Sequence, residues 1–242
     1  MPKLSIIIPA KNDIQNFKKT IKKLKFSNEL EVIVVDGKSN DGLSEYIKDN
    51  YQEKIILVKQ KSKGIYQGFN EGLKEAKGDY ISYLCCGDIY STNIAIELMK
   101  ETDATVIAAS CSFLDSGNEI QYTRSKIKKI SPSNMSILHG SLLVKRNAYM
   151  KVNGFNENFQ VSADVSAIHK ILKFGSIYYS DKKIVIQIPY GVSSRLYLRK
   201  IYEHAKIFIE NKLYIRALFY IPKRLFKDYI ILKLWVMIKK WT

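Results

Sequence analysis

With 242 residues the chain has the length of one large domain or of a domain with an appendage, and 39 Lys and Arg against 23 Asp and Glu leave a net charge of +16. Hydrophobic residues at 46% and charged residues at 26% are ordinary globular values, which excludes collagen, low-complexity disorder and a polytopic membrane protein. The positive excess predicts an anionic partner, either nucleic acid, acidic lipid or a phosphorylated substrate, without choosing among them.

The chain opens with an apolar run, Leu4 to Ile8, ended by Pro9. That run is too short for the hydrophobic core of a signal peptide, so the chain is expected to stay in the cytosol. Further runs follow at Val32 to Val35, Ile55 to Val58, Tyr80 to Leu84 and Ala104 to Ala109. Between them lie stretches with helical spacing, such as Ile14, Phe17, Ile21 and Leu24, or Ile94, Ile96, Leu98 and Met99 after the possible cap Ser91. Val- and Ile-rich strands alternating with helices predict an α/β fold, with a mostly parallel central sheet flanked by helices. Cys85, Cys86 and Cys111 are odd in number and show no C-x-x-C spacing, which points to a reducing compartment and away from a disulfide framework.

After Cys111 the rhythm changes. The turn cluster Asp115-Ser116-Gly117-Asn118 predicts a hairpin from about Ser112 to Thr123, followed by a basic loop from Arg124 to Lys129. Ser141 to Val144 reads as a strand with a helix behind it through Met150, and Asn153-Gly154 as a turn. Val165, Ile168, Ile171 and Leu172 predict a helix over Ala163 to Phe174, and Ile177 to Tyr179 and Ile184 to Ile188 read as edge strands. From Arg195 the composition shifts to twelve Lys and Arg against three acids, with apolar residues from Tyr214 and Leu218 to Leu232 and Val236 recurring every three or four. The expected organisation is a unit over 1–194, with halves at about 1–111 and 112–194, and a basic amphipathic helical tail over 195–242. Tyr229 to Ile238 is interrupted by Lys233 and is too short to cross a bilayer.

In an open parallel sheet, ligands sit outside the carboxyl ends of the strands. Those positions hold Pro9-Ala10-Lys11-Asn12, Asp36-Gly37, Lys63-Gly64 and Gly87-Asp88. A turn rich in glycine and carboxylates holds a diphosphate only through a divalent metal, which makes Asp88 the candidate ligand for Mn²⁺ or Mg²⁺. The alternative for Asp88 is a cap for a helix over Ile89 to Lys100. Asp36 is suited to a nucleoside base or ribose, or to an Asx turn with Gly37; Asp41 is suited to a cap or turn. Among the histidines only His139, beside Gly140, keeps a claim as a metal ligand. The chain has no G-x-x-x-x-G-K-[ST] loop, no G-x-G-x-x-G fingerprint and no G-x-S-x-G elbow.

Taken in order, these motifs resemble glycosyltransferase family 2, the inverting sugar-nucleotide-dependent transferases of the GT-A fold. LSIIIPAKND is similar to the family's first strand and nucleoside-binding turn, and EVIVVDGKSNDG to its second strand with Asp36 on the base or ribose. GIYQGFNEGLKEAKGDYISYLCCGD resembles the segment that runs through Asn70 to the metal-binding carboxylate, Asp88. HGSLLVKRNAYMKVNGFNENF and SADVSAIHKIL resemble the acceptor side, with His139, Gly140 and Ser162 there and Asp164 as catalytic base; GVSS, Gly191 to Ser194, resembles a short motif of bacterial members. The chain departs from the pattern at Cys85-Cys86-Gly87-Asp88, which retains one carboxylate where relatives carry Asn-x-Asp-Asp or Asn-x-Gly-Asp, and at Gln67, where many members have an acid.

The resemblance implies hexosyl or N-acetylhexosaminyl transfer from a nucleotide sugar, with UDP as the expected nucleotide, to a lipid-linked or glycan acceptor in O-antigen, capsule or lipooligosaccharide synthesis. It also gives the tail a purpose at the cytoplasmic face of the inner membrane, where polyprenyl-diphosphate-linked saccharides are held. Lys223, Arg224, Lys239 and Lys240 would attract the anionic surface while Trp235 and Trp241 settle at the interface. Packing of the stripe on the domain or on a second copy, as a homodimer, is the alternative. Two other classes compete: a nucleic-acid-binding module, disfavoured because strand-end acids repel phosphates, and a catalytically weakened transferase subunit.

Overall fold

A computed structural model describes residues 3–115, 118–122, 138–188, 196–222 and 224. The first half is the expected alternation. Strands β1 (Leu4–Ala10), β2 (Leu30–Asp36), β3 (Ile55–Lys59) and β4 (Tyr80–Tyr83) are joined by helices α1 (Ile14–Lys23), α2 (Leu43–Tyr51) and α3 (Ile65–Glu75). They pair in parallel, in a register that sets Ala10 beside Asp36 and Asp36 beside Lys59. The carboxyl ends of three strands therefore open onto one edge.

The second half contains β5 (Ile89–Tyr90), α4 (Thr92–Glu101), β6 (Val106–Asp115), β7 (Asn118–Tyr122), β8 (Leu142–Lys145), α5 (Arg146–Lys151), α6 (Ala163–Ile171), β9 (Ile177–Gln187) and α7 (Tyr197–Glu210). All strands join one sheet in the order β3-β2-β1-β4-β8-β6-β9-β5, with β7 paired to β6. Here the pairing is mixed: β8 runs antiparallel to β4 and β6, and β9 runs parallel to β6 but antiparallel to β5. The expected edge strands at Ile177 to Tyr179 and Ile184 to Ile188 are one strand of 11 residues, and it lies inside the sheet between β6 and β5. Register shifts between Ala108 and Cys111 of β6 accommodate the polar stretch Ser180 to Lys183, which made the run look broken.

The alternation of strand side chains divides the interior into two cores. Ile7, Ile33 and Val35 face α3, α5 and α6, packing on Phe69, Leu73, Tyr149 and Ile168. Ile6, Ile8, Val32 and Val34 face the opposite way, onto Phe17 and Ile21 of α1, Leu43 and Ile47 of α2 and Leu98 of α4. Burial on both sides explains why these strands read as unbroken apolar runs. Asp13 stands at the cap of α1 without making a cap bond; the Asp41 carboxylate reaches across to accept from the Ile14 amide at 2.8 Å, and from Leu43 at 3.3 Å. Asp41 is thus both cap and turn former.

Helix α7 contributes Ile207 to the same core as Ile7 and Val35, so the packed body continues past residue 195. Its His204 Nδ1 lies 2.8 Å from the hydroxyl of Tyr220, in the helical residues 214–222. Burial, then Lys200, His169 and Arg224, lower the His204 imidazole from 6.5 to about 4. The unfolded chain therefore takes up this proton first, and stability that is fully present above the unfolded value is lost as pH falls toward the folded one, by about 2 kcal/mol at pH 5. The melting temperature is expected to fall between pH 7 and pH 5, and His204→Gln to flatten that slope. Identical slopes for the two proteins in a calorimetric pH series would assign the effect elsewhere.

Among the described residues no helix is long and apolar enough to cross a membrane. The stretches at Arg124 to Lys129 and Gly191 to Ser194, and the tail residues Lys223, Trp235, Lys239, Lys240 and Trp241, lie outside the described residues.

Candidate active site

The loops after β1 and β2 are laced together at the open edge. The Gly37 amide donates to the Ala10 carbonyl at 2.8 Å. Asn12, in the left-handed region at φ 50°, donates its amide to Ser39 Oγ and accepts from the Asn40 amide through Oδ1. Pro9 offers its carbonyl to the Cys86 thiol, while Lys11 is exposed.

Asp36 lies fully buried at the centre of this lacing. Its Oδ1 accepts from the Ser39 amide at 2.8 Å, the bond of an Asx turn, and its Oδ2 accepts from Ser44 Oγ at 2.7 Å and Lys59 Nζ at 2.8 Å. Burial pushes the carboxyl up, but the Lys59 ammonium, the Ser44 and Ser39 hydroxyls and the Ser39 amide outweigh it and hold the group below the usual carboxylate value. Lys59, the last residue of β3, was legible from its strand-end position alone; Ser44 carried no such signal.

Asp88 follows β4 and does not cap the next helix. Ile89 and Tyr90 form a strand against β9, and α4 begins at Thr92 after Ser91. The carboxylate is 3% exposed, accepts from the Cys85 and Ile188 amides at 3.3 and 3.1 Å, and also receives the Gln187 side chain. Burial raises its pKa to about 6 against the pull of those three donors. Two glycines make this arrangement possible. Gly87 has φ +96°, and a Cβ there would lie 2.6 Å from Ile188 Cδ1; a Cβ at Gly140 would lie 2.7 Å from Gln187 Nε2.

Asp164 sits half-buried in the first turn of α6, where the helix dipole favours an anion. The cap position of this helix is Ser162, two residues before Asp164. The Tyr66 hydroxyl donates to Asp164 Oδ1 at 3.0 Å across 98 residues of sequence. Burial, and then the Asp164 charge, keep that phenol protonated and hence a donor. Beneath lies an aromatic floor in which His139 stacks on Tyr83 at 4.9 Å, meets Phe69 and Phe155 edge-on, and places Nε2 3.2 Å from the Tyr149 hydroxyl. Burial depresses the His139 imidazole against the opposing influence of Asp164.

Cys85 links the two acids. The residue is exposed, although protein crowds its thiol, and its backbone amide donates to Asp88 Oδ2 at 3.3 Å. Its thiol is pushed up to about 12, first by burial and then by the charges of Asp88 and Asp164 together. Both charges thus raise the same thiol.

The remaining candidates fall in two groups. Gly64, at φ +123°, accepts from Gln60 Nε2 at 2.6 Å and opens α3, with the exposed Lys63 before it. Asn70 is turned away from the strand ends: its amide donates to the Phe155 carbonyl and the Glu157 carboxylate, and its Oδ1 accepts from the Phe155 amide. Ser162 is buried. Arg224, the one described cation of the predicted tail set, donates to the Tyr197 hydroxyl at 2.7 Å.

Among the described residues no three His, Cys, Asp or Glu side chains converge on a metal position. Asp88 alone suits a hard cation that brings phosphate oxygens and water as its other ligands, which is how Mg²⁺ and similar ions are commonly held. With two amides and the Gln187 side chain on its two oxygens, Asp88 keeps one lone pair for a cation. His139 is engaged by the aromatic floor.

The sequence model of glycosyl transferase family 2 matches residues 5–158. The chain belongs to that family. A glycosyltransferase of Rickettsia felis, described as uncharacterized, is 28% identical over 204 residues, which are 77% of this chain and 34% of that protein. The chain thus spans about a third of the length of that relative. Among solved structures, TarS of S. aureus in complex with UDP superposes with a TM-score of 0.66 at 18% identity, over 86% of this chain and 65% of that one. The mannosyltransferase PcManGT from Pyrobaculum calidifontis, in complex with GDP-Man and Mn²⁺, gives 0.64 at 17%, over 87% and 64%. These likenesses identify the fold as GT-A: a family 2 glycosyltransferase fold whose second half carries the mixed strand pairing described above.

Proposed function

We propose that this family 2 glycosyltransferase moves a hexose or N-acetylhexosamine from a UDP-sugar to a hydroxyl of a lipid-linked or glycan acceptor, with inversion, in bacterial surface-polysaccharide synthesis. The reading is supported by one arrangement: Asp88, just past β4, accepts from the Cys85 amide at 3.3 Å, Asp164, in the first turn of α6, accepts from the Tyr66 hydroxyl at 3.0 Å, and the charges of both acids reach the Cys85 thiol. Asp164 takes the proton of the acceptor hydroxyl while that oxygen attacks the anomeric carbon. The bond from the anomeric carbon to the β-phosphate oxygen breaks, its electron pair leaves with the diphosphate, and a single displacement inverts the centre. Asp88 would hold a divalent cation, which would supply positive charge to that leaving diphosphate. Asp36 orders the turn that meets the nucleoside, and the choice of uridine is supported by the likeness to the UDP complex of TarS.

A membrane-held acceptor is supported by the outer face of α7 and the helical residues after it. Leu198, Ile215 and Leu218 are each at least 70% exposed, and Tyr202, Ile209, Tyr214 and Leu218 border a groove of about 570 Å³. Lys200, Lys206, Lys212 and Arg216 lie along the same segment, the pairing of cations with apolar side chains that favours an anionic interface.

The test is a thermal-shift titration with UDP, GDP and Mn²⁺, followed by a screen of nucleotide sugars against lipid-linked saccharides read by mass spectrometry. UDP with Mn²⁺ is expected to raise the melting temperature, and one UDP-sugar to yield a product heavier by one hexose or N-acetylhexosamine. No shift with any nucleoside diphosphate at millimolar concentration would overturn the reading.

A further inference from the structure

Helix α7 begins after the last of the sheet strands and carries none of the residues assigned above to donor or acceptor, yet it reaches the segment that leads into Asp164. Glu203 is 1% exposed, and its carboxylate accepts from three successive amides: Gln160 at 2.8 Å, Val161 at 3.0 Å and Ser162 at 3.0 Å. Arg199, one helical turn earlier, donates Nε–H to the same carboxylate at 2.9 Å. A second tie runs from Ser166 Oγ to Glu210 at 3.4 Å. Charge-assisted bonds of this kind are roughly twice as strong as neutral ones, and a buried carboxylate that loses them is left without solvent.

The geometry makes this more than ordinary packing. Residues 160–162 form no strand or helix, so their amides have no ladder to join, and Ser162 makes no side-chain cap bond to α6. The direction in which α6 leaves that segment sets where Asp164, two residues further on, points. Besides the Tyr66 hydroxyl at Oδ1, the start of α6 is tied by the amide of Ser162 to Glu203 and by Ser166 Oγ to Glu210. We infer that Glu203 is a positioning residue for Asp164, and that α7 is part of the catalytic apparatus. The inference rests on the reading of Asp164 as the base.

A carboxylate that only stabilised the fold would change the melting temperature and leave turnover alone. Glu203→Gln keeps one carbonyl acceptor and the size of the side chain but sets an NH₂ against amide donors. With the UDP-sugar that the parent protein turns over, Glu203→Gln is expected to lower kcat by about tenfold or more, the scale of a small misplacement of a reacting group. The KM for the UDP-sugar and the shift produced by UDP should stay unchanged, and Glu203→Asp should recover part of the loss. In an Asp164→Asn background the same substitution should change the residual rate by less than about twofold, because residues acting as a unit are not additive. A parental kcat in Glu203→Gln, or full additivity with Asp164→Asn, would overturn the inference. If Asp164→Asn alone retained the parental rate, the reading of the base would fail instead, and the two failures are told apart. Should Glu203→Gln not fold, Arg199→Gln removes the donor that the partly exposed arginine gives to the carboxylate. It is expected to lower kcat severalfold at unchanged KM for the UDP-sugar, and a parental kcat there would count against the inference equally.

Discussion

Asp164→Asn is expected to lower sugar transfer by about 10²–10⁴-fold, the usual worth of a positioned general base. Asparagine preserves the shape and can still accept from Tyr66, so the start of α6 should hold. What disappears is the capacity to take a proton from the acceptor hydroxyl as it becomes a nucleophile. Affinity for UDP should remain within about twofold, because a group acting only in the transition state affects kcat and not nucleotide binding. Single-turnover kinetics with a UDP-sugar, alongside UDP titration calorimetry, separate the two quantities. A parental rate would reduce Asp164 to an acid favoured by a helix dipole.

The second large effect belongs to Asp88. Asp88→Asn should abolish the contribution of Mn²⁺ to UDP binding and lower transfer on the order of 10²-fold or more, the cost of removing one preorganised electrostatic contact to a developing anion. The Ile188 amide would still find an acceptor at Oδ1, but the Cys85 amide would face an NH₂ if the side chain kept its orientation. With only one acid at this position, Mn²⁺ should bind weakly without nucleotide and tightly with it. Calorimetry of Mn²⁺ with and without UDP measures that difference. Equal Mn²⁺ affinity in both conditions, or undiminished Mn²⁺ dependence in the variant, would move the metal away from Asp88.

How far the chain alone reveals this site depends on the distance over which each contact acts. The strands of the first half declare themselves because they are buried on both faces, and Asp36 and Asp88 follow from lying just past them. That Asp88 does not cap the next helix turns on Ile89 and Tyr90. Two residues carry no periodic signal, and their strand exists only because β9, about a hundred positions later, pairs with them. Separations of about 40 to 100 positions likewise hide Gln187 from Gly140, Tyr66 from Asp164, and Glu203 from the segment before α6. Asn70 shows the opposite effect: it belongs to a motif legible in sequence, yet its side chain ties α3 to Phe155 and Glu157. Residue type and local pattern name the candidates; long-range contacts assign their work.

The three amides gathered by Glu203 also bear on how this protein can be shortened or recombined. Composition invites a cut near residue 195, where the cation-rich segment begins, but a protein ending there would leave the amides of Gln160, Val161 and Ser162, just before Asp164, without the carboxylate they donate to. Chimeras that exchange acceptor preference between relatives would need to carry the stretch through residue 210 from the same parent as α6, or the grafted half would bind its nucleotide and stall.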